Sequence, residues 1–120
     1  MTDIIAFVEA LGSLHDCTIT AVCWEPDARR FSLNIEDIYW NFEGLPEYPG
    51  ACPGVFTFSE ISAVSLDVSQ SAQRISEFNI RREDQGYVSE ITFWSGEKLR
   101  IHSADVICNQ ALALGISVSV

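Results

Sequence analysis

Over Phe31-Ser32-Leu33-Asn34-Ile35-Glu36, apolar and polar residues alternate without a break. Successive side chains of a β-strand point to opposite faces of a sheet, so this alternation predicts a strand with one buried face. The turn-forming segment Glu25-Pro26-Asp27-Ala28 comes before it, and the Thr-, Ile- and Val-rich stretch Cys17–Trp24 comes before the turn. Together the three segments predict an antiparallel β-hairpin.

The rest of the chain carries the same kind of pattern. Further strands are predicted at residues 55–68, 75–82, 87–94 and 98–102. The apolar alternation changes phase within the first of these, which predicts a bulge or a turn near Ser59–Ser62. A tight turn at Ser95-Gly96 joins the last two strands.

Helical spacing occurs near both ends of the chain. Thr2 or Asp3 can cap a first helix that ends at Gly12, with inward positions Ile4, Ile5, Val8 and Leu11. Ser103 can cap a short second helix closed by Gly115, with inward positions Val106, Ile107 and Ala111. In residues 116–120, apolar residues again alternate with serine, which predicts an edge strand. This strand could pair with its counterpart in a homodimer, or a helix could cover it.

These elements predict one α+β domain over residues 1–120. We expect a mostly antiparallel sheet of about six to seven strands, with an N-terminal helix and a short helix near the C-terminus.

Composition and charge narrow the function. The chain has 17 acidic and 7 basic residues and a net charge of −10, so it should repel phosphate backbones, and nucleic acid is not expected as a ligand. No basic signal-peptide region and no apolar run of membrane-spanning length is visible, so we expect no membrane partner. The four cysteines follow no redox or disulfide spacing, which favours a cytoplasmic location.

Between Arg30 and Arg74 the sequence contains no lysine or arginine. Four of the acids in this gap lie in or beside an irregular loop that is rich in aromatic residues and proline. Carboxylates without nearby cations beside large rings are typical of a surface that binds a basic protein. We therefore predict a partner-binding site with charged determinants Glu36, Asp37, Glu43 and Glu47 and aromatic anchors Tyr39, Trp40 and Tyr48. The alternative is a lid, with the rings covering one end of the sheet and the acids facing water.

Few residues of the chain suit metal binding or catalysis. The possible ligands His15, Cys17, His102 and Cys108 match no established spacing, and we predict neither metal nor cofactor. His15-Asp16, and His102 with Asp105, contain the groups of an acid–base pair, but no nucleophile motif accompanies them. We interpret His15 and Asp16 as structural, with Asp16 accepting backbone N–H groups at a corner. The alternative function is a small-molecule-binding domain or an enzyme that uses a pocket near His15, Trp24 and Trp94.

A few short motifs resemble a known family. They are Leu14-His15-Asp16 before the first hairpin, Leu45-Pro46-Glu47-Tyr48-Pro49 with Pro53 ahead of a strand, and Phe93-Trp94-Ser95-Gly96 before a closing segment rich in isoleucine and valine. Their order over residues 14–110 resembles the bacterial immunity protein 50 family. The added N-terminal helix and the richer Pro-Gly loop depart from that family, which leaves a neighbouring, uncharacterised family of the same architecture as the alternative. The resemblance implies a cytoplasmic protein that binds and silences a cognate toxin, without catalysis or cofactor.

Overall fold

The structure, a computed structural model, describes residues 3–67 and 74–109. Within these residues, one helix, α1 (Ile4–Ala10), is followed by six strands: β1 (Ile19–Glu25), β2 (Arg30–Ile35), β3 (Gly54–Asp67), β4 (Ile75–Glu83), β5 (Gly86–Phe93) and β6 (Lys98–Asn109). Two short 3₁₀ turns lie at Gly12–Leu14 and Trp40–Phe42. The predicted N-terminal helix is confirmed, and the Asp3 carboxylate accepts a hydrogen bond from the Ile5 N–H at its start.

The six strands form one antiparallel sheet in the order β1-β2-β3-β6-β5-β4. An isolated pairing of Thr18 with Arg74 joins the start of β1 to the start of β4, so the two edges of the sheet meet at one end. The predicted hairpin and the predicted bulge are confirmed, since the β3–β6 register shifts between Ile61 and Ala63. The sheet is therefore curled into an incomplete barrel.

The core lies on the inner face of this curl. The alternation of the opening stretch is confirmed, since Phe31, Leu33 and Ile35 are buried. Phe78 of β4 reaches across the curl, with its ring centroid 5.2 Å from that of Phe56 on β3. At the end where the sheet edges meet, α1 and the first 3₁₀ turn add the buried side chains Val8, Leu11 and Leu14. Burial of these apolar side chains is the main stabilising term.

The predicted C-terminal helix is wrong over residues 103–109, which belong to β6. Strand β3 is 14 residues long, and its first half needs a neighbour on the side away from β2. Residues 103–109 supply that neighbour by pairing with Val55–Ile61, which satisfies backbone groups that a helix would leave open. The remainder of the predicted helix and the predicted strand at residues 116–120 lie outside the described residues.

Candidate partner-binding surface

One buried carboxylate organises the connection between β2 and β3, which we call the acidic loop (residues 36–53). The Asp37 side chain is only 5% exposed. Its Oδ1 accepts hydrogen bonds from the N–H groups of Tyr39 (3.0 Å) and Cys52 (3.1 Å), and its Oδ2 accepts one from the Tyr48 hydroxyl (2.5 Å). Asp37 thus joins the beginning, the middle and the end of the loop. Hydrogen bonds to an ionised acceptor are the stronger kind, so this one group holds the loop in a single conformation.

The loop also packs on the helical end of the molecule. Asn41 Nδ2 donates to the Leu11 carbonyl (3.0 Å), at the C-terminal end of α1. The Tyr39 and Phe42 rings contact each other, with centroids 6.2 Å apart, and both pack against the core. Gly12 has φ +71°, and a Cβ there would lie 3.0 Å from the Asn41 side chain, so glycine suits this position.

The His15-Asp16 corner lies next to this loop and is bound to β4 and β5. His15 Nδ1 donates to the Ser76 carbonyl (2.8 Å), and the Asp16 N–H donates to the Ile75 carbonyl (2.8 Å). Asp16 Oδ1 accepts a hydrogen bond from the Trp94 indole N–H (2.7 Å), and the His15 ring meets Trp94 edge-on at 5.5 Å. The expected backbone donors are therefore replaced by an indole. The positive φ of Asp16 turns this residue toward β5, a direction that the sequence pattern did not reveal.

The acidic loop and the His15-Asp16 corner meet in one small cleft of about 50 Å³, which we call the corner cleft. Its lining residues are Asp16, Cys17, Thr18, Glu36, Asp37, Trp40 and Arg74. Trp94 stands directly beside it, since its backbone N–H donates to the Arg74 carbonyl (3.0 Å). The curl of the sheet thus places the acidic loop and the β4–β5 end side by side.

Large apolar side chains are exposed around this cleft and on the loop. Trp40 is 39% exposed, Trp94 is 56% exposed and Leu45 is 50% exposed. The carboxylates Glu36, Glu43 and Glu47 are exposed on the same loop. Exposed rings beside exposed charges are the composition of a binding surface.

Some predicted roles change in the structure. Asp37 is not a charged surface determinant, because its carboxylate is buried and its oxygens accept hydrogen bonds from inside the loop. Tyr39 and Tyr48 are only half-buried and support the loop, whereas Trp40 is exposed. Arg74, distant in sequence, lies in the corner cleft with Glu36, so the acids are less free of cations than their spacing indicated.

Trp94 was not part of the predicted binding surface. The sequence contained a signal for it: Ile91 and Phe93 are the apolar positions of an alternating strand, so the same alternation directs Trp94 outward next to the Ser95-Gly96 turn.

Across the described parts of the chain, no three or more His, Cys, Asp or Glu side chains form a group that could hold a metal ion. The residues considered as possible metal ligands, His15, Cys17, His102 and Cys108, do not form a cluster of this kind. The Cys17 thiol donates to the Asp37 carbonyl (3.3 Å), and burial, followed by the nearby Asp37 charge, raises its pKa to about 12. Burial likewise raises the pKa of Cys108 to about 12.

The pocket proposed near His15, Trp24 and Trp94 is also not formed. Trp24 contacts Phe31 near the far end of β1, with ring centroids 6.4 Å apart. Thr18, which pairs with Arg74 beside Trp94, is six residues earlier in the chain. At the rise of a β-strand this separation is about 20 Å, so Trp24 cannot share a small pocket with the other two residues.

The cysteine environments predict how stability depends on pH. The thiols of Cys17 and Cys108 have folded-state pKa values raised from 9.0 to about 12. Above pH 9 the unfolded chain loses these protons while the folded chain keeps them. Their contribution to stability is therefore complete below pH 9 and is lost as the pH rises toward 12.

We expect the urea midpoint of unfolding to fall between pH 8 and about pH 10.5. The fall should be smaller in a Cys17→Ala, Cys108→Ala double variant, with Cys23→Ala as the matched control because Cys23 is exposed. An equal fall in the double variant and the parent would show that these thiols do not cause it.

The comparisons with known proteins concern the fold. No protein-family model matches the chain, and no curated protein matches it. A crystal structure of an uncharacterized protein from Neisseria gonorrhoeae is similar, with a TM-score of 0.54 and 17% sequence identity. The match covers 79% of this chain and 91% of that one. Within residues 3–67 and 74–109, no helix is long and apolar enough to cross a membrane. At this level of identity, the likeness is evidence for the fold alone.

Proposed function

We propose that this chain is a non-catalytic, cytoplasmic binding protein that neutralises a basic protein partner, as an immunity protein neutralises its toxin. The observation that carries the proposal is the exposed Trp40, which lines the corner cleft, together with the exposed Trp94 beside the cleft and the exposed carboxylates of the acidic loop. The proposal rests on this surface and on the sequence resemblance.

The surface has the features that tight protein binding requires. Tryptophan is enriched among the residues that dominate interface energies, because a large rigid ring buries much area at a small entropic cost. A charge pair that loses its water on binding couples by roughly 1.5–7 kcal/mol, so three carboxylates can contribute substantially to the recognition of a basic partner. The Asp37 hydrogen bonds hold the loop before binding, which lowers the entropy lost in the complex.

The size of the corner cleft favours a protein partner over a small molecule. Pockets for small ligands usually enclose roughly 300–1,000 Å³ and bury most of the ligand. The corner cleft encloses about 50 Å³, which accommodates one side chain of a partner at most.

The test is affinity capture of the tagged protein from its native lysate at low salt, with the parent and two charge variants. The loop variant carries Glu36→Lys, Glu43→Lys and Glu47→Lys, which reverse exposed charges and leave Asp37 in place. The matched control carries Asp27→Lys, Glu60→Lys and Glu83→Lys, the same charge change at the opposite end of the sheet. We expect the parent and the control to retain one basic protein that salt releases, and the loop variant to lose it.

The captured protein is then expressed alone and together with each variant. We expect it to arrest growth when expressed alone, and the parent and the control variant to restore growth while the loop variant does not. Equal capture by all three baits would contradict the acidic-loop interface. Capture of a basic protein that does not impair growth would support the proposed binding surface and would refute the proposal that the partner is a toxin.

A further inference from the structure

The first strand leaves one side of the sheet open. Within the described residues, Ile19–Glu25 pairs with β2 on one side, and its other backbone edge beyond Thr18 pairs with no strand. Every residue from Thr20 to Glu25 is exposed. A free strand edge presents unpaired N–H and C=O groups that can form a ladder with another strand.

The inner face of this strand is apolar and uncovered. Val22 lies opposite Leu33 and Trp24 opposite Phe31, and residues that pair across strands share one face of the sheet. The β2 partners are fully buried, whereas Val22 is 55% exposed and Trp24 is 46% exposed. The hydrophobic inner face therefore extends past β2 and ends on β1 without cover.

The opposite edge of the same sheet is protected by charge. Strand β4 carries the charged residues Glu77, Arg81, Arg82 and Glu83, which are all exposed. Charged side chains on an edge strand oppose pairing with another copy. In contrast, the segment Cys17–Trp24 contains no charged residue, and Glu25 at the end of β1 is neutralised by Arg30 at 2.9 Å.

We propose that β1 is a self-association edge that pairs in antiparallel orientation with β1 of a second copy, about a twofold axis near Val22. The contrast between the uncharged β1 edge and the charged β4 edge supports this occupant, because charge on an edge strand is what keeps the edges of two copies apart. Two chains that each carry a net charge of −10 repel one another, and an uncharged edge lets them meet with the least like-charge contact. With the twofold axis at Val22, every cross-strand pair formed within Thr20–Trp24 joins two uncharged residues, so the pairing brings no like charges together there.

The pairing covers the side chains that a single copy leaves exposed. With the axis at Val22, the two Val22 side chains lie opposite each other and each Trp24 lies opposite the other copy's Thr20. Each Trp24 ring is then diagonal to the other copy's Val22, within reach of a large side chain. In the resulting dimer, the curled sheets of the two copies form one continuous sheet. This inference concerns self-association and is independent of the proposed partner of the acidic loop.

The first test is the molar mass of the full chain as a function of concentration, by sedimentation equilibrium. We expect the average mass to rise from 13.3 kDa toward twice that value. Val22→Lys sets two lysines opposite each other at the axis and should raise the dimer dissociation constant at least about tenfold. The matched control Asn79→Lys adds the same charge to the exposed β4 edge and should leave the dissociation constant unchanged.

The second test uses the unaltered protein, so it does not depend on the folding of a variant. In hydrogen exchange followed by mass spectrometry, peptides that cover residues 19–25 should become more protected as the concentration rises, and those that cover 75–83 should not. A monomer at all concentrations would overturn the proposal and leave the edge to another chain. A dimer weakened equally by both lysine variants, or protected at β4 and not at β1, would also overturn it.

Discussion

Asp37→Ala should lower the free energy of unfolding by about 2–4 kcal/mol and should abolish capture of the proposed partner. The carboxylate is buried and accepts three hydrogen bonds, from Tyr39, Tyr48 and Cys52. Truncation leaves two backbone N–H groups without their acceptor, and the cost of such groups exceeds the loss of an exposed contact. Chemical denaturation measures the stability change, and affinity capture measures the effect on binding.

Two control variants separate the role of Asp37 from a general charge effect. Glu36→Ala removes the neighbouring exposed carboxylate and should change the stability by no more than about 0.5 kcal/mol. Asp37→Asn retains one oxygen that can accept from the two N–H groups. Its free energy of unfolding should therefore lie between those of the parent and Asp37→Ala. If Asp37→Ala were as stable as Glu36→Ala, the loop would not depend on this carboxylate.

Phe78→Ala should lower the free energy of unfolding by about 3–5 kcal/mol. Phe78 is fully buried, and its ring contacts Phe56 and Phe58 with centroids 5.2 Å and 6.4 Å away. These contacts join β4 to β3 across the inside of the curl, so their loss removes apolar burial and leaves a cavity. Urea unfolding monitored by far-UV circular dichroism measures the change.

Two further variants serve as controls for Phe78→Ala: a conservative replacement at the same position and a substitution of an exposed aromatic ring. Phe78→Leu keeps most of the apolar volume and should cost about 1.5 kcal/mol or less. Trp94→Phe alters an exposed ring on the proposed binding surface, so it should reduce partner capture while the core remains packed. A small effect of Phe78→Ala together with a large effect of Trp94→Phe on stability would contradict the packing described for the curl.

The two variants address different parts of one arrangement. Phe78 holds β4 over β3, which brings Arg74 and Trp94 to the end of the sheet where the acidic loop lies. Asp37 then holds the loop in the conformation that presents Trp40 at the corner cleft. The proposed binding surface depends on both because no single segment of the chain contains it.

Local sequence patterns were sufficient for most strands. The alternation of Phe31, Leu33 and Ile35 identified the buried face of β2, and the change of phase in β3 identified its bulge. Both follow from the two-residue period of a strand, which is a local property of the backbone. The helix predicted from Ser103 was wrong because these residues pair with the long strand β3, and pairing with a distant strand does not appear in a local sequence pattern.

Composition and periodicity were enough to identify an acidic chain with a strand-rich fold, a capped N-terminal helix and an aromatic, acidic loop. The folded sheet was needed to show that Asp37 is internal, that Arg74 and Trp94 lie beside the loop, and that β1 is an open edge while β4 is a charged one. This difference arises because composition and side-chain periodicity act between near neighbours. Burial, hydrogen-bond partners and strand order depend on how the sheet curls, which brings together residues as distant as Asp16 and Trp94.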